Sequence, residues 1–155
     1  MKLTKKDLLI LTELRKNARE TLTRLSRKTR IPISTIFDRL KMQEGSIIKK
    51  HCALIDFQKI GFSIRANILL KVPAEDRNKL LEHLQKELHT NTVLRINNGF
   101  DFLVEAIFRN LKEAENFVNN LEEEYKIEDK KVFYVIDEIK REEFLSSPIF
   151  AELLF

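Results

Sequence analysis

Pro32 separates two stretches of helical apolar spacing, and this break constrains the N-terminal fold strongly. Proline removes a backbone donor and pushes its predecessor out of helical space, so one helix must end near Ile31 and another must begin after it. The second of these helices is expected from about Ile33 to Gln43. It would place Ile36 and Leu40 four residues apart on its buried face, and Gly45-Ser46 would end it.

Two further helices are expected before the break. Thr4 and Asp7 have the spacing of a capping box, which predicts a first helix from about Lys5 to Lys16. Thr21 can cap a second helix with Leu22 and Leu25 on its apolar side. Three short helices, the last two joined by a tight break, are typical of a helix-turn-helix.

The positive charge of the chain is concentrated in the same segment. Residues 1–50 contain 14 Lys/Arg and 5 Asp/Glu, a balance of +9, whereas the rest contains 14 basic and 19 acidic residues, a balance of −5. Because neutralising phosphates releases counterions, a basic domain of this kind indicates a nucleic-acid binder. A solvated basic surface is the alternative reading.

In a helix-turn-helix the last helix lies in the major groove, with polar side chains near its start at the base edges and cations at the phosphates. A small helical bundle that binds protein is the competing interpretation. The predicted DNA-binding residues are Arg24, Arg27, Lys28, Ser34, Thr35, Asp38, Arg39 and Lys41.

After the helices the pattern changes to alternating strands and helices. Residues 51–61 are predicted as a hinge strand and linker, with the strand itself over 47–56, and residues 62–141 as a separate domain. The expected elements of that domain are a strand at 63–72, a helix from Pro73 to about His89, strands at 92–97 and 102–108, a helix at 111–125 and a strand at 131–139. Asn97-Asn98-Gly99 predicts the turn of a hairpin.

This order, βαββαβ, predicts a ferredoxin-like antiparallel sheet with both helices on one face, so the fold class is α+β. The other face would be open, and two such sheets packed face to face would give a homodimer. Residues 142–155 form an apolar C-terminal tail, which we expect to pack on a neighbouring subunit or on the sheet.

No pattern indicates a metal, a cofactor or a catalytic site. Cys52 is the single cysteine, which excludes an internal disulfide and favours a reducing, cytoplasmic location. His51 and Cys52 would face opposite sides of a strand, and His83 and His89 do not share a helix face. Neither a signal peptide nor a membrane span is expected.

The chain resembles the Lrp/AsnC (leucine-responsive, feast/famine) regulators of bacteria and archaea over nearly its whole length. The matching positions are Leu3, Asp7, Ile10, Leu14, Ala18-Arg19, Leu25-Ser26, Ser34-Thr35, Arg39, 47–50, Ala53, Ile55-Asp56, Ile60-Gly61, 98–103 and Lys140. Arg30 stands where the family usually has a turn glycine. Asn98 stands at the family's glycine position in the hairpin loop, with Gly99 one place later.

The resemblance implies a winged-helix-like helix-turn-helix joined to a RAM-type ferredoxin-like domain. It also implies a sequence-specific transcription regulator that binds double-stranded DNA as a homodimer or an octameric ring of dimers. An amino acid or similar small molecule would be the effector, held by Asn97, Asn98, Gly99 and Asp101, where the Asp101 carboxylate could accept a hydrogen bond from an ammonium group. The competing interpretation of Asp101 is that it only caps backbone amides of the turn.

Two other functions stay open at the level of sequence. An architectural, weakly specific DNA-binding protein would have the same basic domain. Some proteins that resemble this family decarboxylate tetrapyrroles, but the strand after the hairpin, Phe102–Phe108, carries no histidine. We therefore expect a protein that is not an enzyme.

Overall fold

The computed structural model describes residues 3–153, and the chain divides into two compact units. The first unit comprises Met1–Leu54 and Ile139–Phe155, and the second comprises Ile55–Glu138. Within the described residues, no helix has the length and apolar character needed to cross a membrane.

Three helices form the centre of the first unit, with the bounds that the sequence predicts: α1 is Lys5–Lys16, and α3 is Ile33–Gln43. Between them, α2 is Leu22–Thr29, and Thr21 caps it by accepting a hydrogen bond from the amide of Arg24. Residues from all three helices and from the break before α3 meet in one small core, formed by Ile10, Leu25, Ile31 and Ile36. The predicted three-helix arrangement is confirmed.

The predicted strand at 47–56 is wrong. Ile48 forms an isolated bridge with Glu44, the residue after α3, and the segment forms no strand. A strand needs a neighbour to satisfy its backbone groups, and β-branched sequence cannot supply one. Leu54 and Ile55 are 58% and 52% exposed in consequence. A short 3₁₀ helix, Gln58–Ile60, follows.

The second unit is a four-stranded antiparallel sheet with strand order β2-β3-β1-β4. Its elements are β1 Ile64–Lys71, α4 Arg77–Lys86, β2 Thr90–Arg95, β3 Phe102–Phe108, α5 Leu111–Glu124 and β4 Asp129–Tyr134. Side chains of α4 and α5, such as Leu80 and Phe117, pack in one core with alternate residues of the strands, such as Ile68 and Val104. The predicted βαββαβ, ferredoxin-like fold is confirmed.

Two element bounds differ from the prediction for reasons of backbone pairing. The helix does not begin at Pro73, whose carbonyl accepts from the amide of Asp76 in a turn, so α4 starts at Arg77. The last strand ends at Tyr134 because that residue pairs with Ala66, close to the start of β1. Beyond it the chain has little of β1 left to pair with, and Ile136 is 97% exposed.

Among the described residues of the second unit, none packs over the sheet face opposite α4 and α5. Leu69 and Leu103 pair across β1 and β3 on that face and are half-buried. Leu94 and Phe133, on the two edge strands, are 49% and 53% exposed. Within the second unit this face therefore presents an apolar centre, and we refer to these four residues as the open-face cluster.

The described part of the C-terminal tail packs within the first unit and not on the sheet, which was one of its two predicted places; packing on a neighbouring subunit stays a prediction. A short helix, α6 (Ile149–Leu153), contacts α1 within the first unit, and Ala151 is fully buried there. Arg15 of α1 donates to the carbonyl oxygens of Glu142 and Phe144. Of the described tail, Ala151 is thus covered by α1, whereas Phe144, Ile149 and Leu153 are 75%, 53% and 73% exposed.

Candidate nucleic-acid interface

The outer face of α3 carries a stripe of four side chains. Ser34, Phe37, Asp38 and Lys41 are all exposed, and their spacing of three, four and seven residues places them on one side of the helix. Ile36, on the opposite side, is fully buried in the core of the unit. The stripe combines a hydroxyl, an aromatic ring, a carboxylate and an ammonium group on a rigid element.

The predicted contacts of α3 fall in two groups. Ser34, Asp38 and Lys41 lie together on the stripe, whereas Thr35 is half-buried beside it. Arg39 points away from the stripe toward α1: its Nη1 donates to both carboxylate oxygens of Asp7, at 2.9 and 3.1 Å. Its side chain keeps 34% of its surface exposed.

Asp7 is the centre of a buried polar joint between α1 and α3. Its carboxylate also accepts from the amide of Thr4, at 2.8 Å, and from Nε2 of Gln43, at 2.9 Å. Asp7 and Gln43 are 1% and 0% exposed. We call the set of Thr4, Asp7, Arg39 and Gln43 the α1–α3 joint; it fixes the position of α3 on the unit.

Burial of the Asp7 carboxyl by itself opposes ionisation. The hydrogen bonds from Thr4 and Arg39, together with the charge of Arg39, outweigh that effect, so the pKa of Asp7 lies below its ordinary value. The joint is therefore held by an ionised carboxylate at neutral pH.

The basic residues of α2 differ in what they contact. Arg24 and Arg27 are exposed, with Arg24 Nη1 3.8 Å from Glu20. Lys28 is held by two carboxylates: its Nζ lies 2.7 Å from Glu20 and 3.2 Å from Glu13. Hydrogen bonds to Glu20 and then Glu13 raise the pKa of Lys28. A phosphate would have to compete with both carboxylates for this ammonium group.

The hairpin turn between β2 and β3 brings together the four residues predicted to hold an effector. Asn97, Asn98 and Gly99 are exposed, and Asp101 follows them. The Asp101 carboxylate already has two contacts: it accepts from the amide of Val72 at 2.9 Å, and it lies 2.7 Å from Nε of Arg77. An ammonium group would join or replace these partners.

The sequence analysis did not predict two features of the first unit. Phe37 was not among the expected contacts, although its spacing of three from Ser34 and four from Lys41 was a usable signal. The pairing of Arg39 with Asp7 joins residues 32 positions apart, and such a contact has no local sequence pattern.

Comparison with known proteins agrees with the geometry. Residues 3–42 match the model of a winged helix-turn-helix DNA-binding domain. The HTH-type transcriptional regulator FL11 of Pyrococcus horikoshii is 31% identical over 114 residues, which cover 73% of this chain and 76% of that protein. LrpC of Bacillus subtilis has the same fold, with a TM-score of 0.82 at 23% identity over 90% of this chain and 99% of the other.

The chain belongs to the Lrp/AsnC family of HTH-type transcriptional regulators. A transcriptional regulator of Neisseria meningitidis, solved as a complex with L-Met, also shares the fold, with a TM-score of 0.83 at 24% identity over 90% of this chain and 94% of that one. This Lrp/AsnC protein is accordingly a DNA-binding transcription regulator with a helix-turn-helix in its first unit.

The two departures from the family's glycine positions keep the backbone that glycine would favour. Arg30, at the end of α2 in this Lrp/AsnC regulator, has φ 57° and ψ 30°, which is the left-handed region. Asn98 has φ 65°, followed by Gly99 at φ 88°. Asparagine tolerates this conformation better than most residues, whereas arginine adopts it at a cost.

Proposed function

We propose that this regulator recognises a specific operator by placing the outer face of α3 in the major groove. The observation that carries the proposal is the exposed stripe of α3, which lies in a segment with a net charge of +9 and is held rigidly by the α1–α3 joint. A rigid helix that offers donors, acceptors and apolar surface is suited to base edges.

We assign the exposed side chains of α3 and α2 to bases or to phosphates according to their chemistry. Ser34, Thr35 and Asp38 lie in the first half of α3, where side chains of a recognition helix contact bases. Lys41, with Arg24 and Arg27 of α2, is assigned to phosphates. Lys28 and Arg39 are paired with carboxylates and would contact DNA only through the N–H donors that these pairs leave free.

The test of this assignment is selection of binding sites from genomic fragments at physiological salt, followed by footprinting. Alanine at Ser34 or Lys41 is expected to weaken binding to the selected site, and Lys41→Ala should also reduce the salt slope by about one. Lys112→Ala, which removes an exposed cation from the second unit, is the matched control. Absence of any enriched site would instead indicate an architectural binder.

We further propose that two copies pack their open-face clusters together, which would give the homodimer that a two-fold operator requires. Exposed Leu94 and Phe133, beside half-buried Leu69 and Leu103, support this proposal. A ring of such dimers is the larger assembly compatible with it.

A charge on the open face should separate the copies. Phe133→Asp is expected to shift the full chain toward monomer in sedimentation velocity, because it would bury an unpaired carboxylate. Leu88→Asp is the control, since Leu88 is 97% exposed outside the cluster. An unchanged sedimentation coefficient in Phe133→Asp would contradict this arrangement.

An amino-acid effector at the turn of Asn97, Asn98, Gly99 and Asp101 is a further proposal. The relative solved with L-Met supports the class of ligand. Calorimetric titration with individual L-amino acids tests it directly. Asp101→Asn is expected to weaken binding while Asn91→Ala, an exposed change in β2, leaves it intact. No heat from any amino acid would refute an effector of this class.

We propose no catalytic activity for this protein and no cofactor, and we propose that it acts in the cytoplasm of a prokaryotic cell. Regulators among its relatives support this view. His89, which directly precedes β2, donates a hydrogen bond from Nδ1 to the Ile107 carbonyl and stacks on Phe108, which is a packing role. After incubation with an iron tetrapyrrole and removal of the unbound compound, the protein should show no Soret band.

A further inference from the structure

Phe37 is an exposed aromatic ring in the middle of α3. It keeps 54% of its surface exposed although it lies on an ordered helix of 11 residues. Ile33, one turn earlier on the same side, is 46% exposed. Such side chains cost free energy when they face water, so an apolar pair at this place calls for a ligand that covers it.

The surroundings of Phe37 decide which kind of ligand fits. Ser34, Asp38 and Lys41 flank it on the same stripe and are exposed polar groups. The segment around it carries a net charge of +9, which favours a polyanion over an apolar protein surface. In the major groove the apolar feature of the base edges is the C5-methyl group of thymine, and phenylalanine is among the side chains that contact it.

We propose that Phe37, with Ile33 beside it, contacts thymine methyl groups and makes operator recognition depend on thymine at the positions it reaches. The inference rests on the proposed entry of α3 into the major groove and names a specificity determinant within it. Ser34 and Asp38 would then read hydrogen-bonding groups on either side, while Phe37 reads the methyl group alone.

Deoxyuridine differs from thymidine only by that methyl group and therefore isolates the contact. The probe is a duplex selected by the full-length protein from a randomised pool, synthesised once with thymidine and once with deoxyuridine throughout. Fluorescence anisotropy gives the ratio of the two dissociation constants. For the unsubstituted protein we expect a loss of about fourfold for each methyl group contacted, the equivalent of one buried methyl.

Phe37→Ala should bind the thymidine duplex more weakly and lower the ratio of the two dissociation constants toward one, with only the contribution of Ile33 left. Phe37→Leu keeps an apolar side chain and should retain part of the discrimination. Met42→Ala is the matched control: Met42 is 61% exposed on α3, at the last position but one of the helix, and its loss should leave the ratio unchanged. A circular-dichroism melt verifies that each variant is folded.

Two results would overturn the inference: equal affinity of the unsubstituted protein for both duplexes, or an unchanged ratio in Phe37→Ala. If α3 does not enter the major groove at all, Lys41→Ala and Ser34→Ala would leave DNA binding unaffected as well. That result distinguishes failure of the proposed function from failure of this inference. If Phe37→Ala alters the sedimentation coefficient but not the ratio, the ring contacts a second copy of the chain and the thymine contact is refuted.

Discussion

Asp7→Ala removes the carboxylate at the centre of the α1–α3 joint. The variant loses the acceptor for the Thr4 amide in the capping box and the acceptor for Gln43 Nε2. It also leaves the Arg39 guanidinium without its partner. The lost cap, the unpaired amide and the unpaired guanidinium each lower stability by a different amount, and the burial of each group determines which effect is largest.

The capping contribution is about 0.5–2 kcal/mol. Gln43 is fully buried, so its unpaired amide adds about 1–3 kcal/mol. Arg39 contributes little, because with 34% of its side chain exposed it can turn toward water. We therefore expect a loss of about 2–4 kcal/mol in the free energy of unfolding of the first unit, or ~10–20 °C in its melting temperature for a domain of this size.

Urea denaturation followed by circular dichroism at a helical wavelength measures this loss. Asp7→Asn preserves shape and one acceptor oxygen, and we expect about half the effect of the alanine variant. Asp38→Ala is the control, because it removes an exposed carboxylate from α3 and should change stability by less than about 0.5 kcal/mol. An Asp7→Ala variant within that same margin would refute the role given to the joint.

Three further predictions concern the same unit. The folded-state pKa of Asp7 lies below its ordinary value of 3.8, so the contribution of this carboxylate to the stability of the first unit is present above that pH and is lost as the pH falls below it. The stability of Asp7→Ala, plotted against pH, should lack this loss. Arg30→Gly should raise stability by about 0.5–1 kcal/mol, since glycine accepts the left-handed backbone, whereas Arg27→Gly inside α2 should lower it by about 1 kcal/mol. Removal of residues 142–155 should lower the melting temperature of the first unit, because the tail covers α1; an unchanged melt would contradict that packing.

Local physical rules made several elements predictable from sequence. The capping box at Thr4 and the break at Pro32 depend on neighbouring residues only, and the bounds of α1 and α3 follow them. The turn signal at Asn97-Asn98-Gly99 and the apolar run that follows it likewise predicted β3, and the four-residue spacing of Phe117 and Leu121 predicted α5.

Contacts between distant residues were not predictable in this way. Residues 47–56 have the composition of a strand, yet a strand exists only where another offers its backbone, and that depends on the whole fold. The tail was apolar enough to require cover, but composition did not indicate that α1 would supply it.

The α1–α3 joint shows the same division most clearly. The sequence by itself determined that α3 is a helix with Ile36 inward and Lys41 outward, because helical periodicity assigns the faces. Only the tertiary structure decided that Arg39 pairs with Asp7 and that Gln43 is buried against the same carboxylate. Periodicity acts within one turn of helix, whereas these outcomes depend on which surface of α1 packs against α3.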